Sequence, residues 1–221
     1  MSADSGVDIV VDDDVAASVQ RPEGPAIGVV VLAHGAGGNR DAAILRGYAD
    51  AFVERDIAVA RIDLPYRRRR PKGPPSPSTA ADDREGIAAA CERFRGLSAG
   101  PLVVGGHSYG GRQASMLIAD DPSHAAGLFL SSYPLHPPGK PERMRTEHLP
   151  SITVPTLVIH GSSDPFATPE ELTEAIGLID APTEIVTVKA PHSLNPTRTG
   201  VVRLAVDAAC SFLFEGNSID G

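Results

Sequence analysis

The chain is expected to fold as an α/β protein, with a mostly parallel sheet of about seven to eight strands and helices on both faces. Three observations predict this. Short runs rich in Val, Ile and Leu alternate with longer helix-patterned segments. Six of those runs show little polar alternation, as strands covered on both faces do. No internal repeat or linker interrupts the 221 residues, so 1–221 is expected to be a single domain.

The first two runs, 7–11 and 15–20, flank Asp12, Asp13 and Asp14. They read as an antiparallel hairpin at one edge of the sheet. The three carboxylates suit a solvated turn better than a calcium site, because no ligand-spaced loop follows. The six apolar runs lie at 27–33, 58–62, 102–106, 127–130, 156–160 and 184–188. Helices fill the gaps at about 41–55, 80–96, 110–120, 169–179 and 199–214. Asp41 favours the positive end of the first helix. The fourth has a start signal: Thr168 as N-cap, Pro169 at the first helical position and Glu171 completing a capping box. Two stretches are expected to be irregular. Residues 65–78 hold five prolines and four consecutive arginines, and residues 131–153 hold five prolines. Both follow strand C-termini, the edge at which open α/β sheets bind ligands.

Composition excludes some functions. The net charge is −8 and the isoelectric point is near 5.3, which argues against nucleic-acid binding through bulk charge. No apolar run approaches the roughly 18 residues that cross a bilayer. Residues 1–14 are acidic and lack the basic-then-apolar pattern of a secretory signal. Cys91 and Cys210 fall in expected helices and suit free thiols filling the core. Together these point to a cytoplasmic protein without a membrane span. No metal or cofactor is implied, and the oligomeric state is not legible.

The strongest chemical signal is Gly106-His107-Ser108-Tyr109-Gly110-Gly111, between the strand at 102–106 and the helix at 110–120. This is the strand–turn–helix context that G-x-S-x-G requires. The glycines permit a tight, strained turn that lifts the serine above the sheet edge. A serine hydroxyl needs a base, and the base needs an orienting acid. Asp164 follows the strand at 156–160, and His192 follows the strand at 184–188. The order Ser, Asp, His matches acyl-transfer sites on such sheets. Asp164 could instead cap a turn before Pro165, and His192 could be a surface histidine. His160 is assigned beside Asp164 or to the pocket wall, His107 beneath the elbow, and His136 and His148 to solvent.

An oxyanion hole needs two backbone N–H donors. One is expected from Tyr109. The other is expected from the turn His34-Gly35-Ala36-Gly37-Gly38, with Ala36 favoured and Gly37 as the neighbouring option. That turn could otherwise cradle phosphate, but it is neither G-x-G-x-x-G nor a P-loop. His34 and Gly37 join the candidate substrate contacts. Arg67 to Arg70 with Lys72, and Lys140, Arg143 and Arg145, make two basic loops in an acidic chain, and Arg112 starts the helix behind the elbow. Arg68, Arg69 and Arg70 are therefore candidates to attract an anionic substrate, against the alternative of a solvated charge run.

Four motifs carry a resemblance: residues 33–38, Asp63-Leu64-Pro65-Tyr66-Arg67, residues 105–112, and residues 133–141. Over essentially its whole length the chain resembles the α/β-hydrolase superfamily, and within it the dienelactone-hydrolase-like proteins. It is similar to a branch that shares a hydrolase-like domain with a subunit of a human chromatin-modifying complex. The resemblance implies the α/β-hydrolase fold and a serine-type site. It departs from dienelactone hydrolases in having serine rather than cysteine at 108, and from the branch in having His107 where arginine is expected. No cap domain separates the later strands, leaving 131–153 as the one candidate lid. The expected activity is hydrolysis of a small carboxylic ester or thioester by Ser108, His192 and Asp164. The alternatives are a partner-binding scaffold or acyl transfer at the same site.

Overall fold

A computed structural model describes residues 6–197 and 200–215. In chain order the elements are β1 (Val7–Val11), β2 (Ala16–Gln20), β3 (Gly28–Ala33), α1 (Ala43–Val53), β4 (Ile57–Ile62), α2 (Pro65–Arg69), α3 (Ala80–Phe94), β5 (Leu102–His107), α4 (Tyr109–Asp120), β6 (Gly127–Ser131), β7 (Thr156–Gly161), α5 (Pro169–Ile176), β8 (Thr183–Val188) and α6 (Val201–Ala209). The eight strands form one sheet in the order β1-β2-β4-β3-β5-β6-β7-β8. β1 and β2 pair antiparallel, as does β2 with β4; all other pairs are parallel.

Two cores cover the two faces, and strand alternation divides residues between them. From β3, Val29, Val31 and Ala33 enter the layer beneath α3, α4 and α5. Val30 and Leu32 enter the layer beneath α1 and α6, with Tyr48, Phe52 and Phe129 packed edge to face. Cys91 and Cys210 are free and buried, one in each layer. Among the described residues, no helix is long and apolar enough to cross a membrane.

The chain leaves β3 towards β4 on one side and later enters β5 on the other, so direction reverses between β3 and β5. Loops that leave two such strands diverge and open a crevice at the strand C-termini. The turns after β3 and β5 carry Ala36 and Ser108, which therefore flank this crevice.

Several sequence expectations are corrected. Residues 65–78 are not wholly irregular: Pro65 starts the short helix α2, and residues 77–79 form a 3-10 turn. Residues 131–153 do not form a loose lid, because Tyr133, Leu135, Leu149 and Ile152 are buried in the core. β8 is mostly exposed or half-buried, since it is an edge strand paired only with β7. Asp41 does not enter the first turn of α1; it pairs with Arg61 at 3.2 Å. The last helix changes to π-type hydrogen bonding over Cys210–Glu215, and residue 199 lies outside the described residues. The capping box at Thr168 and Glu171 forms, with both of its hydrogen bonds.

Candidate active site

Ser108 links β5 to α4 with φ +53° and ψ −116°. A side chain rarely adopts such a backbone, and holding it costs about 1–3 kcal/mol. The neighbouring glycines are needed for close approach. A Cβ at Gly106 would lie 2.0 Å from the Ala33 carbonyl oxygen, and one at Gly110 would lie 2.4 Å from the same atom. The elbow therefore sits directly against the end of β3.

Three side chains from three strand ends meet there. Ser108 Oγ lies 2.9 Å from His192 Nε2, and His192 Nδ1 lies 2.7 Å from Asp164 Oδ2. Asp164 Oδ1 accepts the Phe166 N–H at 2.9 Å, so both carboxylate oxygens are occupied. With an ionised carboxylate, Nδ1–H is the donor and Nε2 is left to accept the serine proton. The Phe166 ring packs on the His192 ring with centroids 4.3 Å apart. Ser132 Oγ donates to the His192 carbonyl at 2.7 Å and ties the histidine loop to the end of β6.

His107 lies beneath the elbow, with Nδ1 3.2 Å from Ser131 Oγ. Burial, and then the neighbouring His192, push its pKa down to about 3, so it stays neutral. His160 is buried behind Asp164, and its Nε2–H donates to the Ala167 carbonyl at 3.1 Å.

The turn after β3 is held from below. Leu64 N–H donates to His34 Nε2 at 3.2 Å, which leaves His34 Nδ1–H to donate to the Gly35 carbonyl at 2.8 Å. Burial lowers the His34 pKa and favours this neutral form. Tyr66 OH also reaches the Gly35 carbonyl at 3.3 Å. Among the described residues no peptide bond is cis, and a trans peptide directs its N–H opposite its C=O. Pinning the Gly35 carbonyl therefore turns the Ala36 N–H the other way. The Ala36 carbonyl accepts from Tyr66 OH at 2.8 Å and Arg67 Nη2 at 3.1 Å. Arg67 Nε donates to the Gly38 carbonyl at 2.7 Å.

Tyr109 N–H opens α4 and has no acceptor one turn earlier in the helix. The Tyr109 hydroxyl donates to Asp83 Oδ2 at 2.7 Å, and Tyr66 N–H donates to Asp83 Oδ1 at 2.9 Å. Asp83 thus links Tyr109 to Tyr66, whose hydroxyl holds the turn that carries Ala36. Its burial raises its pKa, opposed by those two hydrogen bonds.

A cavity of about 460 Å³ opens over Ser108, Tyr109 and Ala36, a size that suits a small molecule. Pro75, Pro77, Pro134 and Phe166 supply apolar wall, and Arg112 and Arg145 supply charge. Several sequence-predicted contacts lie elsewhere. His34 is wholly buried and serves the turn, Gly37 is exposed, and His160 is wholly buried. Arg68 and Arg69 line a different groove, and Arg70 is exposed outside the Ser108 cavity. His136 and His148 are not solvent-facing. His136 is buried with Nε2 3.3 Å from Glu171, and half-buried His148 has Nε2 2.8 Å from Ser115 Oγ. Sequence reasoning missed Ser132, Phe166 and Asp83. None carries a local signal, because each acts on a residue distant in the chain.

Arranged in this way, the site can withdraw a proton from a hydroxyl and offer two N–H groups to a developing oxyanion. Among solved structures, dienelactone hydrolase from Anabaena variabilis is 20% identical, with a TM-score of 0.69 over 94% of this chain and 97% of that one. A serine hydrolase without a lid from Xanthomonas campestris is 15% identical, with a TM-score of 0.69 over 100% and 99%. Est1E from Butyrivibrio proteoclasticus, solved with ferulic acid bound, is 17% identical, with a TM-score of 0.71 over 92% and 96%. At these identities the likeness is one of fold. Residues 26–207 match the model of the alpha/beta hydrolase domain family, and the chain belongs to that family.

Proposed function

We propose that the protein is a serine hydrolase of small carboxylic esters. The observation that supports this is the unbroken hydrogen-bond chain from Ser108 Oγ through His192 to Asp164. Ser108 Oγ attacks the ester carbonyl carbon while its proton passes to His192 Nε2. The N–H groups of Tyr109 and Ala36 stabilise the oxyanion. The C–O bond breaks, and the alcohol leaves with the proton from Nε2. Water then attacks the acyl-enzyme and gives its proton to Nε2. The carboxylic acid departs as Ser108 regains its proton. Asp164 holds the imidazole in the required tautomer throughout. Every step uses side chains and backbone of this chain and needs no cofactor.

The fold relatives agree with a small-molecule substrate, since Est1E binds ferulic acid. The unpaired cysteines fit a cytoplasmic setting. A scaffold role, which the resemblance to the chromatin-complex branch raises, needs neither the strained Ser108 backbone nor the aligned His192. Fluorophosphonate labelling and turnover of 4-nitrophenyl acetate test the proposal. Ser108→Ala should abolish labelling and lower kcat by about 10⁴-fold or more. Turnover that survives the substitution would refute it.

A further inference from the structure

Arg112 and Arg145 line the cavity over Ser108, and among the described residues no carboxylate lines it with them. Arg112 is half-buried. Its Nε is buried without a hydrogen-bond partner, and its side chain forms no ion pair among the described residues. Arg145 Nη1 donates at 3.1 Å to the Pro134 carbonyl, a neutral acceptor. Burial, and then the Arg112 cation, hold the Arg145 guanidinium below its usual range, so the two cations repel one another. Gln113 adds to the imbalance. Arg84 Nη1 donates to its Oε1 at 3.2 Å, and its buried Nε2 has no acceptor among the described residues. The wall beside Ser108 therefore holds surplus donors and two unneutralised charges. Partly dehydrated like charges are unfavourable, and an anion placed between them relieves the cost. A guanidinium fork matches the two oxygens of a carboxylate.

We propose that this cavity selects esters that carry a free carboxylate, which Arg112 and Arg145 hold while the ester carbonyl rests at Ser108. The inference rests on the hydrolase reading of Ser108 and names its substrate class. It moves the anion contact away from the arginine run at 67–70.

Two measurements separate the inference from the reading beneath it. The first uses active protein with 4-nitrophenyl hydrogen adipate, which is anionic, and 4-nitrophenyl hexanoate, which is neutral. The ratio of kcat/KM for the two should favour the adipate, and should fall at least about tenfold in Arg112→Gln and in Arg145→Gln, the loss of one charge-assisted hydrogen bond. Arg112→Lys should keep part of the preference, which distinguishes lost charge from lost packing. The second uses Ser108→Ala protein and calorimetry with monoethyl adipate and diethyl adipate, so that binding is read without turnover. Tighter binding of the monoanion, lost in the Arg112→Gln and Arg145→Gln backgrounds, supports the inference. Equal binding of the two adipates, or a preference that survives both substitutions, overturns it. Absent fluorophosphonate labelling of the native protein would instead overturn the hydrolase reading.

Discussion

The groove beside the turn at residues 12–14 and the cavity over Ser108 each hold two arginines. In the groove, Arg68 Nη2 donates to the carbonyls of Asp12 and Asp13 at 2.5 and 3.0 Å, and Arg69 pairs with Asp82 at 2.6 Å. Asp13, Asp14 and Glu85 line the same groove. Arg69 is thus paired with an acid, Arg68 is held by backbone carbonyls in an acid-lined groove, and both serve the fold. In the cavity, no carboxylate among the described residues shares the lining with Arg112 and Arg145. The difference teaches that the density of positive charge along a chain says little about which cations are left unneutralised beside a partly dry cavity. Exposed pairs such as Arg69–Asp82 contribute about 0–1 kcal/mol, and water screens what remains of their field.

The largest expected effect breaks the arginine run itself into unlike parts. Arg67 is buried and donates to the carbonyls of Ala36, Gly38, Arg70 and Gly73. Arg67→Ala should lower kcat for a neutral ester by about tenfold to a hundredfold, through misdirection of the Ala36 N–H. It should also cost about 2–3 kcal/mol of stability in urea unfolding, from lost charge-assisted hydrogen bonds. Unchanged kcat in a folded variant would remove the turn after β3 from the oxyanion hole.

A smaller effect sharpens the contrast between paired and unpaired cations. Burial, and then Arg112, push the His148 pKa down to about 4, while Glu147 and Asp120 act the other way. In the unfolded chain the proton is taken up near pH 6.5. Between about pH 6.5 and 4 the unfolded chain binds more protons, so His148 makes stability fall as pH drops through that window. Arg112→Gln should raise the His148 pKa, as read by NMR of its ring protons, and narrow the window. A pKa that does not move would mean that Arg112 is already neutralised, and the contrast would collapse.

The smallest effect is a near absence. Arg68→Gln with Arg69→Gln should change stability by less than about 1 kcal/mol. It should leave the preference between 4-nitrophenyl hydrogen adipate and 4-nitrophenyl hexanoate unaltered. A lost preference would return the anion contact to the arginine run.

The residues whose positions follow from local chain geometry are legible in the sequence. Ser108 stands between Gly106 and Gly110 because the turn against Ala33 tolerates no side chain there. Asp164 and His192 each follow an apolar run, which becomes a parallel strand whose C-terminus opens on the crevice. The arginine run was not legible in the same way. Once Pro65 starts a helix, successive side chains turn by about 100°. Arg67 therefore points inward, while Arg68 and Arg69 reach the outer groove. The proline-rich stretch at 131–153 was misjudged for a related reason: prolines limit hydrogen bonding but do not prevent Tyr133, Leu135 and Leu149 from burying apolar surface.

By itself the sequence determined the order of strands and helices along the chain, the elbow at Ser108, and the strand ends that carry Asp164 and His192. Each depends on periodicity, glycine placement or chain order, which neighbouring residues carry. Only the tertiary structure decided that Asp83 links Tyr66 to Tyr109, that Ser132 anchors the His192 loop, and that Arg112 and Arg145 share a cavity while Arg68 and Arg69 do not. Hydrogen bonds and charge balance act through a few ångströms of space, and folding brings those partners together from distant parts of the chain.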